Sequence, residues 1–287
     1  MKYSVIDIGS NSVRLLLWAD GRSICKKVMT TRLGEGLAQS GVLSDAAVRR
    51  TVRAVEEFSA FAKSEGAECS YAFATAAVRR AENGKELLAL VKVICGLEVR
   101  VLSGEEEAFV GLLGATDGKD GGVVDVGGAS TEITVGKKGD VVYSFSADVG
   151  AVRLKDVCGE DVAALQTYAQ EQVCVFENVP ACELYAIGGT ATSLCALEYA
   201  IEPYDAKLVH GKVLTEECIE NWAHKLLQMP QTERLSLVGM DKPRADILGG
   251  AALWLAAVLR RIGAKSVVVS EQDNLEGFIL AKQRGLL

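Results

Sequence analysis

An octet near the N-terminus, Val5-Ile6-Asp7-Ile8-Gly9-Ser10-Asn11-Ser12, returns as Val123-Val124-Asp125-Val126-Gly127-Gly128-Ala129-Ser130, with Asp, Gly and Ser in register at an offset of 118. Each copy reads as an apolar, β-branched strand, a polar turn containing glycine, and a second strand: Val13 to Trp18 in the first copy, Ile133 to Val135 in the second. Hairpin chemistry alone explains the glycine, but not an acid at the end of both first strands. The duplication constrains the chain to two related lobes, each opening on a hairpin with an aspartate near its tip. Length agrees, because 287 residues lie at the upper edge of what one hydrophobic core fills, about 250–300 residues.

The rest of each lobe alternates strand and helix. Ser44 opens a helical pattern through Val48, Val52, Val55, Phe58 and Phe61, with Asp45 favouring its positive end. Tyr71 to Thr75 reads as strand, Gly84 to Ile94 as helix, Leu97 to Leu102 as strand, and Ser103 starts another helix. Beyond it come helices around 160–176 and 215–228, a strand from Leu184 to Ile187, a helix over 244–261 and a strand from Ser266 to Val269. This is the signature of an α/β protein. The turn cluster Asp117-Gly118-Lys119-Asp120-Gly121-Gly122 divides it into domains 1–118 and 119–287.

Charge and composition exclude several classes. Thirty-one basic against 38 acidic residues give a net charge of −7, which argues against DNA or a membrane surface as partner, so a polyanionic ligand needs a local basic pocket. The longest apolar stretch, Ile247 to Leu259, falls short of the ~20 residues a membrane span needs, and Asp7 interrupts the N-terminus too early for a signal peptide. The eight cysteines form no C-x-x-C pair and mostly sit in apolar stretches, which reads as buried free thiols in a reduced cytoplasm. With only His210 and His224, a metal would have to take oxygen ligands.

Three glycine segments can carry chemistry. Gly9-Ser10-Asn11-Ser12 beside Asp7, and Gly127-Gly128-Ala129-Ser130-Thr131 beside Asp125, present small side chains and backbone N–H groups that can cradle phosphate, while the carboxylates can hold hydrated Mg²⁺. Gly188-Gly189-Thr190 follows a strand and opens a helix, where free N–H groups bind anions or simply allow close packing. No G-x-x-x-x-G-K-[ST] and no G-x-G-x-x-G occurs, which removes the P-loop and dinucleotide readings. Ser103 with Glu106 fits a capping box. Glu107 continues through Gly111 and Gly114 on one helical stripe, as a general base open to a ligand or the other lobe, or as part of a solvated acidic helix start. Arg14, Arg79, Arg80, Arg153 and Arg244 stand at or near element ends and are candidate phosphate ligands.

In order and spacing, D-I-G-S-N-S-V-R-L at 7–15, A-T-A-A-V-R-R-A at 74–81, S-G-E-E-E-A at 103–108, V-D-V-G-G-A-S-T-E at 124–132 and I-G-G-T-A-T-S-L at 187–194 together resemble the exopolyphosphatase and guanosine pentaphosphatase family. The resemblance covers nearly the whole chain and implies an α/β fold of two ribonuclease H-like domains, the actin-like ATPase superfold, around a central phosphate-binding cleft. It implies Glu107 as catalytic glutamate with Arg79 beside it, phosphate turns at Gly9 to Ser12 and Gly127 to Thr131, and Asp7 and Asp125 next to Mg²⁺. It also implies Arg14 and Arg244 in contact with polyphosphate or a guanosine polyphosphate. Departures are Ala129 where the family has a third glycine, Phe109 after E-E-A, and Leu275 where an arginine is usual. Larger members append a helical region beyond the point where this chain stops. The function so implied is a Mg²⁺-dependent hydrolase releasing terminal phosphate from polyphosphate and favouring short chains. The alternatives are a guanosine pentaphosphate 5′-phosphohydrolase or a non-catalytic guanosine tetraphosphate sensor, and a homodimer is left open.

Overall fold

The computed structural model describes residues 1–138 and 140–287. Period-2 alternation builds the first hairpin, β1 (Lys2–Ile8) and β2 (Ser12–Ala19): Val5, Leu16 and Trp18 go to one apolar layer, Ile6, Ile8, Leu15 and Leu17 to another. β3 (Arg22–Thr30) extends the antiparallel pair, while β4 (Cys69–Ala74) and β5 (Val99–Val101) add in parallel beyond β1, giving the order β3-β2-β1-β4-β5. Between them run α1 (Leu37–Ser40), α2 (Asp45–Ser64), α3 (Ala76–Arg80) and α4 (Gly84–Cys95). Ser44 caps α2 by accepting from the Ala47 N–H, and Val52, Val55 and Phe58 pack with Leu87 and Val91 against the sheet.

After α5 (Gly104–Thr116) the plan repeats. Strands β6 (Gly121–Val126), β7 (Thr131–Lys137) and β8 (Asp140–Ala147) form the antiparallel meander; β9 (Leu184–Ile187) and β11 (Ser266–Val269) add in parallel, and β10 (Val213–Thr215) pairs antiparallel at the edge. Read from β8, the order β8-β7-β6-β9-β11-β10 is that of the first sheet plus one strand. Its helices are α6 (Ala151–Cys158), α7 (Val162–Gln172), α8 (Gly188–Glu198), α9 (Ala206–Val209), α10 (Glu216–Gln228), α11 (Gln231–Arg234) and α12 (Leu248–Ile262). Trp254 of α12 is fully buried and its indole N–H donates to Thr131 Oγ1 at 2.8 Å, tying helix to hairpin.

The strands of the two sheets fall on either side of residues 118 and 119, but the last helix, α13 (Asn274–Gln283), packs on the first sheet. Leu275, Phe278, Ile279 and Ala281 meet Val5, Leu16, Trp18 and Phe73, with the Phe73 and Phe278 rings stacked at 4.8 Å. The α5 and α13 backbones touch through glycine: a Cβ on Gly114 would lie 2.0 Å from Asp273 O, and one on Gly277 1.7 Å from Val110 O.

Several expectations need correcting. Helix α12 begins at Leu248 rather than 244, because Lys242–Arg244 forms a separate 3₁₀ turn containing Pro243. Strands β3, β8 and β10 and helix α13 escaped the pattern reading: β3 and β8 are edge strands with much exposed surface, so they lack a clean apolar face. All eight cysteines are free, but only Cys195 is buried, while Cys174 and Cys182 are exposed. Among the described residues no helix is long and apolar enough to cross a membrane.

Candidate active site

Both hairpin tips close in the same way. The Gly9 N–H donates to Ser12 O at 3.0 Å, and the Gly127 N–H donates to Ser130 O at 3.0 Å. The tips meet face to face: a Cβ on Gly128 would sit 2.7 Å from Ser10 Cβ, so only glycine permits this approach. Behind them lies a cleft with about 70 Å³ of free space, walled by Asp7, Asn11, Ser12 and Arg14 of the first lobe, Asp125, Gly127, Ser130, Gly188 and Gly189 of the second, and Glu107, Arg244 and Asn274.

Polar atoms without partners point to what the cleft is for. Asp7 Oδ1 and both amide atoms of Asn11 are buried and make no hydrogen bond. Native interiors leave few such groups, since each costs about 1–3 kcal/mol, so several on one cleft mark a ligand site.

Around these atoms the charges are tightly organised. Arg14 donates from Nε (2.9 Å) and Nη2 (2.5 Å) to Asp7 Oδ2 and from Nη1 to Asp273 Oδ2 (2.6 Å). Glu107 enters from the first turn of α5, whose Ser103–Glu106 capping box is complete, and its Oε2 accepts from Arg79 Nη1 at 3.0 Å. Arg79 Nη1 also donates to Leu102 O at 2.7 Å, so this arginine positions the glutamate from beneath. Arg244 lies over Gly189, where an added Cβ would be 2.1 Å from its Cζ, with its Nε bonded to Asp241 at 3.0 Å.

Burial without enough counter-charge raises the acids. Burial, then the like charge of Glu132, pushes Glu107 up to about 8 against the pull of Arg79. Burial lifts Asp125 to about 7, with Arg14 opposing and Glu107 and Asp273 adding to the rise. Glu132 rises to about 7, by burial and then Asp125. Burial raises Asp7 even beside Arg14. In Asp273, burial is outweighed by Arg14 and Lys26, and the carboxyl sits below its usual range. A carboxyl poised near neutrality beside a locked arginine can exchange a proton at working pH.

Not every anticipated residue faces the cleft. Thr131 Oγ1 donates to Val149 O at 2.5 Å and accepts from Trp254, and Thr190 Oγ1 donates to Val126 O at 2.9 Å, so both hydroxyls turn inward to hold the hairpins. Ala129 is buried away from the cleft lining. The Gly111 and Gly114 stripe is filled by α13, with a Gly111 Cβ 2.7 Å from Asn274 Oδ1. Glu132, which the motif reading gives no role, belongs with the site acids. It is buried, accepts from Ser146 Oγ at 2.6 Å, and keeps Oε2 unpartnered. The 118-residue repeat held the signal, since Glu132 occupies the place of Arg14 in the second copy.

Two ribonuclease H-like sheets with facing glycine hairpins define the class: the actin-like fold, whose breadth is seen in the ethanolamine utilization protein EutJ of Carboxydothermus hydrogenoformans, at TM-score 0.51 and 17% identity over 98% of this chain and 89% of that one. Within that class the chain belongs to the Ppx/GppA phosphatase family, which matches residues 20–284. Exopolyphosphatase 2 of Mycobacterium tuberculosis is 31% identical, with 98% of both chains covered. The crystal structure of the Aquifex aeolicus family member superposes with a TM-score of 0.80 at 30% identity, over 99% of this chain and 98% of that one. A guanosine-5′-triphosphate,3′-diphosphate pyrophosphatase of Photobacterium profundum is 26% identical over 96% of this chain and 58% of its own length. The protein is a phosphoanhydride hydrolase of this family.

Proposed function

We propose that the chain is a Mg²⁺-dependent exopolyphosphatase that releases the terminal phosphate of short polyphosphate chains. The observation that carries this reading is the set of unpartnered buried atoms of Asp7 and Asn11 in a cleft lined by both glycine tips, Glu107 and Arg244, where a terminal phosphoryl group would find its donors. Backbone N–H groups of the two tips would bind the terminal phosphate oxygens. Glu107, held by Arg79, would take the proton of the attacking water as its oxygen bonds to the terminal phosphorus. The bridging P–O bond breaks, and the shortened chain leaves with the electron pair, its charge balanced by Arg14 and Arg244.

The donor set suits a divalent cation. Asp7 keeps one buried oxygen free and Asp125 is a raised, under-compensated acid. Two such carboxylates would hold the ion together with substrate oxygens and water. Bound there, Mg²⁺ supplies charge neutralisation for the phosphates.

Short chains are favoured because the cations on the α13 side of the cleft, Arg14 and Lys26, are already engaged by Asp273 and Glu276, and Leu275, where the family resemblance implies arginine, is buried in the apolar layer. The test compares kcat/KM on tripolyphosphate, long polyphosphate and guanosine pentaphosphate, with Mg²⁺ and with a chelator. A steady rise with chain length sinks the short-chain reading, full turnover in chelator sinks the metal, and activity on the guanosine compound alone assigns the site to the nucleotide.

A further inference from the structure

We propose that Arg80 of the first lobe and Arg153 of the second form a subsite for the phosphate next along the chain from the one held in the cleft. The subsite rests on the reading of the ligand as a condensed phosphate. Successive arginines on α3 part company: Arg79 turns to Glu107, while Arg80 Nη1 donates to Ala129 O at 3.0 Å. From the start of α6, the Arg153 backbone N–H donates to Gly128 O at 3.0 Å. Two arginines from different lobes thereby meet consecutive carbonyls of the second phosphate turn, Arg80 through its guanidinium and Arg153 through its backbone.

Their charge is only partly balanced by the protein, through Asp148 on Arg80 and the more distant Glu132 and Glu107. Among the described residues the Arg153 guanidinium makes no hydrogen bond or ion pair, and its Nε is buried without a partner. Arg80 has one acidic partner, Asp148, whose side chain is 66% exposed. Burial and the neighbouring charges of Arg153 and Arg79 bring the Arg80 pKa down to about 10, the mark of positive charges held close together. A phosphate group would give both guanidiniums charge-assisted hydrogen bonds and release Asp148 to solvent at little cost. With the α13-side cations Arg14 and Lys26 already engaged by Asp273 and Glu276, a polyanion leaving the cleft has its favourable path here.

The test is calorimetric titration, in Mg²⁺ at fixed ionic strength, of the full chain and its R80Q, R153Q and D148N variants with tripolyphosphate and with orthophosphate. Losing one charge-assisted contact should weaken tripolyphosphate about tenfold in R80Q and in R153Q, with orthophosphate binding unchanged. D148N should tighten tripolyphosphate, a gain that damage to the fold cannot mimic. Unchanged tripolyphosphate affinity in R153Q, equal weakening of both ligands, weaker binding by D148N, or no binding of tripolyphosphate to the unaltered chain would each overturn the subsite. Tripolyphosphate that binds with this pattern but is not hydrolysed refutes the exopolyphosphatase reading and supports the subsite.

Discussion

Asp125 lies opposite Glu132 across the β6–β7 hairpin, at the position where Asp7 lies opposite Arg14 across β1–β2. The same local frame therefore carries an ion pair in one lobe and two like charges in the other. In the first lobe Arg14 neutralises Asp7 and reaches on to Asp273. In the second, Asp125 raises Glu132, Glu132 raises Glu107, and Glu107 in turn raises Asp125. The duplicated hairpins are alike in backbone and opposite in electrostatics, and the excess negative charge gathers where a cation is called for.

The pH dependence follows from that excess. A general base works deprotonated, and Glu107 sits at about 8, so kcat/KM should rise with pH through that value when Mg²⁺ is scarce. Saturating Mg²⁺ adds positive charge and should move the acid limb to lower pH. E132Q removes a like charge from beside Glu107 and should shift the limb the same way at fixed Mg²⁺. A pH profile that ignores both changes contradicts the assignment of Glu107.

E107Q should lower turnover by about 10²–10⁴-fold, the usual contribution of a general base, and it should also stabilise the fold at alkaline pH. The folded state holds this proton up to about 8, whereas the unfolded chain releases it near the ordinary glutamate value. The stability linked to Glu107 is fully present below that ordinary value and is lost as pH rises toward about 8. Glutamine has no proton to lose, so melting temperatures of the variant and the parent should agree near pH 4 and diverge near pH 8, with E107Q higher.

R14Q should destabilise the protein by about 3–5 kcal/mol, because it leaves the buried acids Asp7 and Asp273 without their shared cation. Chemical denaturation near pH 7 measures this, and the loss should shrink in acid as the stranded carboxylates take up protons. A loss below about 1 kcal/mol would place Arg14 among weak surface pairs.

G114A should disturb fold and turnover together. The new methyl would lie 2.0 Å from Asp273 O, forcing α5 and α13 apart, and α5 carries Glu107 while α13 carries Asp273 and Asn274. Thermal melting should show a clear loss, and the kinetics a fall in kcat larger than any change in KM. Unaltered stability and kcat would mean that the α5–α13 contact does not position the site.

What local sequence determined is what local physics can write. Alternating apolar residues and a glycine turn specify both hairpins, so Asp7, Asp125 and the two tips were legible from the repeat. The Ser103–Glu106 capping box placed the start of α5 and put Glu107 in its first turn. Tertiary structure decided the partners. Gly111 and Gly114 read as an open stripe until α13, more than 150 residues later, fills it. Thr131 and Thr190 read as phosphate contacts until buried carbonyls and Trp254 claim their hydroxyls. The repeat sets Glu132 at the place of Arg14, but only folding brings Glu107 of α5 close to it and makes the two like charges one site. Which charge meets which depends on packing between segments far apart in the chain, and no local period encodes that meeting.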